Sequence, residues 1–179
     1  MSERSGAAGD PLPLRWLDRA AMATNVAGSA LILVLMVSIG LDVAGRNLLG
    51  APLPGVAEMV SLSIVAIVFL QAPQMLGAGR MPRSTAMPDA LAKHWPATAR
   101  LLEDAWDLLG ALVLTILVWS TWPNLLRDWE RGTFVGAVGD FTAPIWPVKA
   151  TIVAGGALLV LQFLARIWRR HRHAAGDTA

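Results

Sequence analysis

The sequence predicts an all-α integral membrane protein with four transmembrane helices. Of its 179 residues, 55% are hydrophobic and only 16% are charged, and the mean hydropathy is +0.51, so a soluble fold of this size could not bury its apolar side chains. Four runs of roughly 20 residues are nearly free of charge, which is the length that a helix needs to cross a hydrocarbon core of about 30 Å. Backbone polar groups in hydrocarbon need internal partners, so these runs must be helical. The predicted spans are residues 20–41, 56–76, 106–122 and 147–167.

One membrane domain, residues 14–170, is predicted to contain all four spans. Residues 1–13 are rich in Gly, Ala and Pro and are predicted to be disordered, as is the tail 171–179. The stretch Met87–Trp95 has apolar residues at every fourth position and is predicted to be a short helix on the cytoplasmic membrane surface. Arginines before an apolar run also describe a signal peptide, but the first run is longer than an h-region and leads to no clear cleavage site, so it is interpreted as a span.

The basic residues predict the orientation of the chain. Eleven of the fifteen Lys and Arg residues lie before the first span, between the second and third, or at and beyond the end of the fourth. By the positive-inside rule, both termini are therefore predicted to be cytoplasmic. The sequence pI of about 9.9 then reflects topology and contact with anionic lipid. No basic stripe alternates with stacking aromatic residues, so no nucleic-acid partner is expected.

The sequence carries no recognisable pattern for enzyme chemistry. All three histidines lie outside the predicted spans and there is no cysteine, whereas a haem, di-iron or zinc site in the bilayer needs several ligands converging from the helices. No hydrolytic triad or phosphate-binding glycine loop is present either. We expect no enzymatic activity, no cofactor and no metal site in this chain.

The hairpin between the first two spans carries the first candidate contact residues. Asp42 and Arg46 are four residues apart and can pair if the helix continues, before Pro52 and Pro54 end regular structure. Glu58 lies about one turn inside the second span, where a carboxylate needs a partner, a proton or water. It is either a glutamate stabilised by the aqueous N-terminus of its helix or half of a structural pair, within this chain or with a partner. We expect Glu58 and Arg46 to pair or to contact a partner near the outer face.

Three further candidates lie in the later spans. Asp107 begins the third span and needs a partner, and Trp146 marks the outer interface of the fourth. Gly155 stands four residues after a threonine, as Gly28 does in the first span, and such small-residue faces let helices approach closely, although small residues are common in spans. Pro123 is predicted to close the third span.

On these residues, the chain resembles the small membrane subunit of tripartite ATP-independent periplasmic (TRAP) transporters, over about Trp16 to Arg170. The individual motifs are short, and their order and spacing carry the resemblance. They are Arg46-Asn47 after the first span, Pro54 and Glu58 opening the second, Gly79-Arg80 leaving it, and Pro144-Ile-Trp-Pro147, Gly155-Gly156 and Leu161-Gln162 around and in the last.

The resemblance implies a non-enzymatic subunit of a secondary transporter in the bacterial inner membrane. In that family, a periplasmic solute-binding protein delivers an organic anion to a large permease, which holds the substrate and sodium sites, and the small subunit packs against the scaffold of that permease. The implied partners are therefore the large permease, the binding protein and membrane lipid. The family often has a tryptophan before the second-span glutamate and a histidine after the Gly-Arg pair, where this chain has Gly55-Val-Ala and Met81-Pro82. The candidate structural or partner contacts are Arg46, Asn47, Glu58, Asp107, Trp146 and Gly155.

Two other functions stay open on the residues alone. The first is a self-sufficient, homodimeric four-span transporter that uses Glu58 to couple protons, which uptake by the purified chain in liposomes would reveal. The second is a membrane scaffold outside transport, which would have a partner that is not a permease.

Overall fold

The computed structural model describes four stretches of the chain, with backbone alone at residues 96, 97, 100 and 173–176. The predicted surface helix Met87–Trp95 lies outside the described residues, as do residues 1–10 of the predicted disordered N-terminus. The described stretches are residues 11–51, 53–79, 96–136 and 142–176.

Four long helices form the fold of the described stretches, as expected for an all-α membrane protein. Two strands of two residues each pair antiparallel between the third and fourth helices, with Phe134 opposite Pro144. The elements are α1 (Leu12–Ala44), α2 (Val56–Gly77), α3 (Pro96–Arg131), β1 (Phe134–Val135), β2 (Ala143–Pro144) and α4 (Trp146–Gly176).

Three helical stretches among the described residues are long and apolar enough to cross a membrane: Leu12–Leu49, Val56–Gly77 and Trp146–Arg172. They contain the first, second and fourth predicted spans. The third predicted span, residues 106–122, lies within the 36 residues of α3. Its insertion in the bilayer stays a prediction.

The helices pack as an open row in the order α1, α2, α4, α3. Each helix packs mainly against its neighbour in that order, and α1 makes a smaller contact with α4. On α1 the buried residues are seven apart, which is the spacing of a single helix–helix seam. Most of the other apolar side chains of α1 are therefore exposed, including Leu33, Met36 and Val37. The buried residues of α1 are Ala21, Gly28, Leu35 and Asp42.

Glycines lie where neighbouring helices come closest. A Cβ on Gly155 of α4 would lie 2.2 Å from the carbonyl oxygen of Phe69 in α2, and one on Gly156 would lie 2.7 Å from Cγ2 of Val118 in α3. A Cβ on Gly28 of α1 would lie 2.9 Å from the nearest side-chain atom of α2. Larger residues at these positions would force the helices apart, as is usual for close crossings in membranes.

The sequence predicts that the third helix ends at Pro123, but in the structure the helix continues to Arg131. Proline has no N–H group, so the carbonyl of Trp119 loses its helical donor there. The neighbouring turn is held by the side-chain amide of Asn124, which donates to the carbonyl of Ser120 at 3.1 Å. The loss of one backbone hydrogen bond is therefore insufficient to end the helix.

Both terminal helices are longer than predicted. Helix α4 continues to Gly176, through most of the tail 171–179 that is predicted to be disordered. The guanidinium of Arg172 lies 5.1 Å from the ring centroid of Trp168, one turn earlier, and such a contact stabilises the helix end. Helix α1 begins at Leu12, so its first two residues fall in the segment that is predicted to be disordered.

Candidate partner-contact sites

Asp42 organises the α1–α2 hairpin. Its side chain lies at the end of the buried stripe of α1, where one carboxylate oxygen accepts a hydrogen bond from Nη2 of Arg46 at 3.0 Å. The other oxygen accepts one from the backbone N–H of Leu53 at 2.9 Å. Between them the chain forms a π-helical turn, Gly45–Leu49, which ends at Gly50 with a positive φ of 64°. A single carboxylate thus fixes the end of α1 and the path of the loop.

The expected pair between Arg46 and Glu58 is not formed in the structure. Arg46 pairs with Asp42 one turn earlier, and its side chain is 66% exposed. Glu58 is half-buried in the first turn of α2 and has no ion-pair partner among the described residues. Asn47 is exposed. Glu58 lines a recess of about 230 Å³ together with Ala57, Ser61, Leu62 and Val135.

A cluster of charges joins α3 to α4 toward the helix ends that lie away from this hairpin. The side chain of Asp107 is 1% exposed, accepts a hydrogen bond from Nη2 of Arg170 at 2.9 Å, and lies 3.6 Å from Nε of Arg166. Arg170 also pairs with Asp104, and with Glu103 at 3.2 Å. A buried carboxylate is stable only with such partners. The sequence indicates that Asp107 needs a partner, and in the structure two arginines of α4 pair with it.

A second polar cluster joins α1, α2 and α4 toward these same helix ends, away from the hairpin. Asp18 of α1 accepts hydrogen bonds from Arg169 of α4 at 2.7 Å and from Nε2 of Gln162 at 3.1 Å. Gln162 is 1% exposed, and a Cβ on Gly77 of α2 would lie 3.1 Å from its side-chain amide. Sequence reasoning did not single out Asp18 or Arg169. The available signal was that opposite charges flank the first and last spans on the side predicted to be cytoplasmic.

At the opposite end of α4, aromatic and ionic contacts hold the α3–α4 connection. The rings of Trp129 and Trp146 meet edge to face, with centroids 4.5 Å apart and an interplanar angle of 75°. The Lys149 ammonium forms an ion pair with Asp128, and it holds the pKa of the Asp128 carboxyl below its ordinary value. Trp146 thus packs within this chain.

The six candidate residues fall into two groups by location. Asp107, Trp146 and Gly155 hold elements of this chain together. The other three, Arg46, Asn47 and Glu58, lie in the hairpin just after α1 and at the start of α2. Their side chains are exposed or half-buried and open to a partner. Within the described stretches, no group of three His, Cys, Asp or Glu side chains is placed to hold a metal ion.

Comparison with known proteins identifies the family. Residues 35–173 match the family model described as tripartite ATP-independent periplasmic transporters, DctQ component. No curated protein and no solved structure matches the chain. The family match covers more than three quarters of the sequence and includes the end of α1, the hairpin, α2, α3 and most of α4. The chain therefore belongs to the DctQ component family of TRAP transporters.

Proposed function

We propose that this small permease subunit packs against the scaffold of the large TRAP permease and stabilises it. The complex takes up an organic anion, coupled to sodium, after a periplasmic binding protein delivers the anion. Family membership supports the subunit assignment. The observation that carries the packing role is the open row of helices, which leaves broad apolar faces to be covered by lipid or by another membrane protein.

The placement of the buried polar groups supports a packing role rather than transport by this chain alone. Among the described residues, the buried polar or charged side chains are Asp42, Asp107 and Gln162. Asp42 directly follows the predicted span 20–41, Asp107 is the second residue of the predicted span 106–122, and Gln162 lies five residues before the end of the predicted span 147–167. Each bonds to another residue of the chain. Transporters place polar binding groups near the middle of the bilayer. The substrate and sodium sites therefore belong to another chain.

In this proposal the chain lies in the bacterial inner membrane, with four spans and both termini in the cytoplasm. The excess of Lys and Arg on that side supports the orientation. The two charge clusters of α4 then lie at the cytoplasmic surface. The α1–α2 hairpin and the paired strands lie at the periplasmic surface, on the side from which the binding protein approaches.

We assign the hairpin as the contact with the large permease near that surface. Glu58 has no ion-pair partner among the described residues, and it is half-buried beside a recess that a neighbouring side chain could enter. Arg46 and Asn47 extend the same polar surface one turn beyond α1. A basic group of the partner at Glu58 would complete a pair that this chain leaves incomplete.

Reconstituted uptake tests this function and the role of Glu58 together. We expect liposomes with the chain alone to show no uptake, and liposomes with the chain, the large permease and the binding protein to show uptake driven by a sodium gradient. Glu58→Gln should lower uptake or complex stability by up to about tenfold, corresponding to about 1.4 kcal/mol, without changing which substrate is carried.

The matched control is Glu130→Gln, which makes the same change at an exposed position near the end of α3 and should leave uptake unchanged. A changed substrate preference in Glu58→Gln would contradict the contact role. Uptake by the chain alone, abolished by Glu58→Gln, would replace the subunit function with that of a self-sufficient transporter.

A further inference from the structure

A groove of about 1070 Å³ runs between α3 and α4 toward the α3–α4 connection. Its walls are formed by apolar side chains of both helices, with Val118 on α3 and Ala157, Val160 and Leu161 on α4. The side chain of Leu161 is half exposed there. No other helix of the described chain fills the groove, because α3 packs mainly against α4.

Arg127, the one charged residue among those lining the groove, lies at one end of it. Asn124 and Trp122 line the groove within about one and a half turns of Arg127, at the end nearest the α3–α4 connection, and Trp119 lines it farther along α3. Trp119 is 83% exposed. Among the described residues, the guanidinium of Arg127 has no hydrogen-bond or ion-pair partner. An unpaired cation about one and a half turns from an exposed tryptophan, Trp122, is typical of the headgroup level of a membrane.

The length of the groove fits one leaflet of a bilayer. Thr115 and Arg127 both line it, and at about 1.5 Å per residue they are separated by about 18 Å along α3. One leaflet contributes about 15 Å of hydrocarbon. An acyl chain that begins at the level of Arg127 would therefore lie along the apolar walls to about the middle of the membrane.

We propose that this groove binds a phospholipid, with the phosphate at Arg127 and an acyl chain against Val118, Ala157 and Val160. The inference is independent of the transport function and requires only that α3 lies in the bilayer beside α4. A charge at one end of a mostly apolar groove matches a headgroup followed by a hydrocarbon tail. A transmembrane helix of a protein partner would need an acidic side chain at the level of Arg127 to pair with it, whereas a phospholipid carries its phosphate at that level.

Native mass spectrometry tests the proposal on the chain purified from its membrane with whatever subunits accompany it. Phosphatidylglycerol, which carries an anionic phosphodiester, is added as the probe. We expect wild-type protein to retain it and Arg127→Gln to weaken its binding by about tenfold. The matched control is Arg131→Gln, which removes an exposed arginine from the same helix outside the groove and should bind like wild type. Ala157→Phe should block the groove.

Photocrosslinking gives a second readout that does not depend on a variant of Arg127. A photoreactive amino acid in place of Leu161 should capture phospholipid. Equal binding of phosphatidylglycerol by Arg127→Gln and Arg131→Gln would overturn the proposal. Capture of a protein segment at position 161, in place of lipid, would also overturn it and would assign the groove to a partner helix.

Discussion

Replacing Asp107 with asparagine is expected to lower the free energy of unfolding by about 3 kcal/mol, the typical cost of removing one partner of a buried ion pair. The Asp107 side chain is 1% exposed and contacts Arg166 and Arg170 of α4. Asparagine keeps the shape of the side chain but removes the charge that compensates the arginines. The α3–α4 contact should therefore weaken first, and α3 should separate from the row.

Glu103→Gln is the matched control for this experiment. Glu103 also pairs with Arg170, at 3.2 Å, but its side chain is 38% exposed, so water replaces most of what the substitution removes. Its cost should stay below about 1 kcal/mol. Unfolding of each purified variant in mixed detergent micelles, followed by circular dichroism, measures the difference. Equal losses for the two variants would contradict the assignment of Asp107 as the buried centre of this cluster.

Replacing Gly155 with alanine is expected to destabilise the α2–α4 crossing by about 3 kcal/mol, at the upper end of the usual cost of overpacking. A Cβ at this position would lie 2.2 Å from the carbonyl oxygen of Phe69. That oxygen belongs to the backbone of α2, so no change of side-chain rotamer can remove the clash. The two helices must move apart, and the Gln162 cluster between them should loosen as well.

Gly40→Ala provides the control, because Gly40 is also inside a long helix but a Cβ there would meet nothing within 4 Å. Alanine is favoured over glycine in a helix by up to about 1 kcal/mol, so this variant should be neutral or slightly stabilised. The same unfolding measurement compares the two. A loss of stability in Gly40→Ala as large as in Gly155→Ala would show that the effect does not come from the crossing.

The sequence predicts those parts of the structure that depend on neighbouring residues. Long apolar runs predict the helices, and the spacing of Asp42 and Arg46 allows the pair that the structure contains. A pair between Arg46 and Glu58 depends on the path of the intervening loop. That path is set by the hydrogen bond from the Leu53 N–H to Asp42, which no local pattern indicates.

For contacts between distant parts of the chain, the sequence predicts that a residue needs a partner but not which residue the partner is. A carboxylate at the start of an apolar run needs a cation, so the sequence predicts a partner for Asp107. It does not indicate which of the arginines near the end of the chain is that partner. Gln162 and Asp18 are 144 residues apart, and their meeting depends on how α1 and α4 cross. The position at which α4 ends is also not predictable from the sequence, because the length of the helix depends on side-chain contacts such as that of Arg172 with Trp168.

The subunit role is tested most directly by asking what accompanies the chain in its native membrane. The chain would be tagged at its C-terminus, extracted in mild detergent, and its co-purifying proteins identified and quantified. The account predicts a larger multi-span permease at a fixed stoichiometry with this chain. Recovery of the chain alone, or bound only to copies of itself, would contradict it.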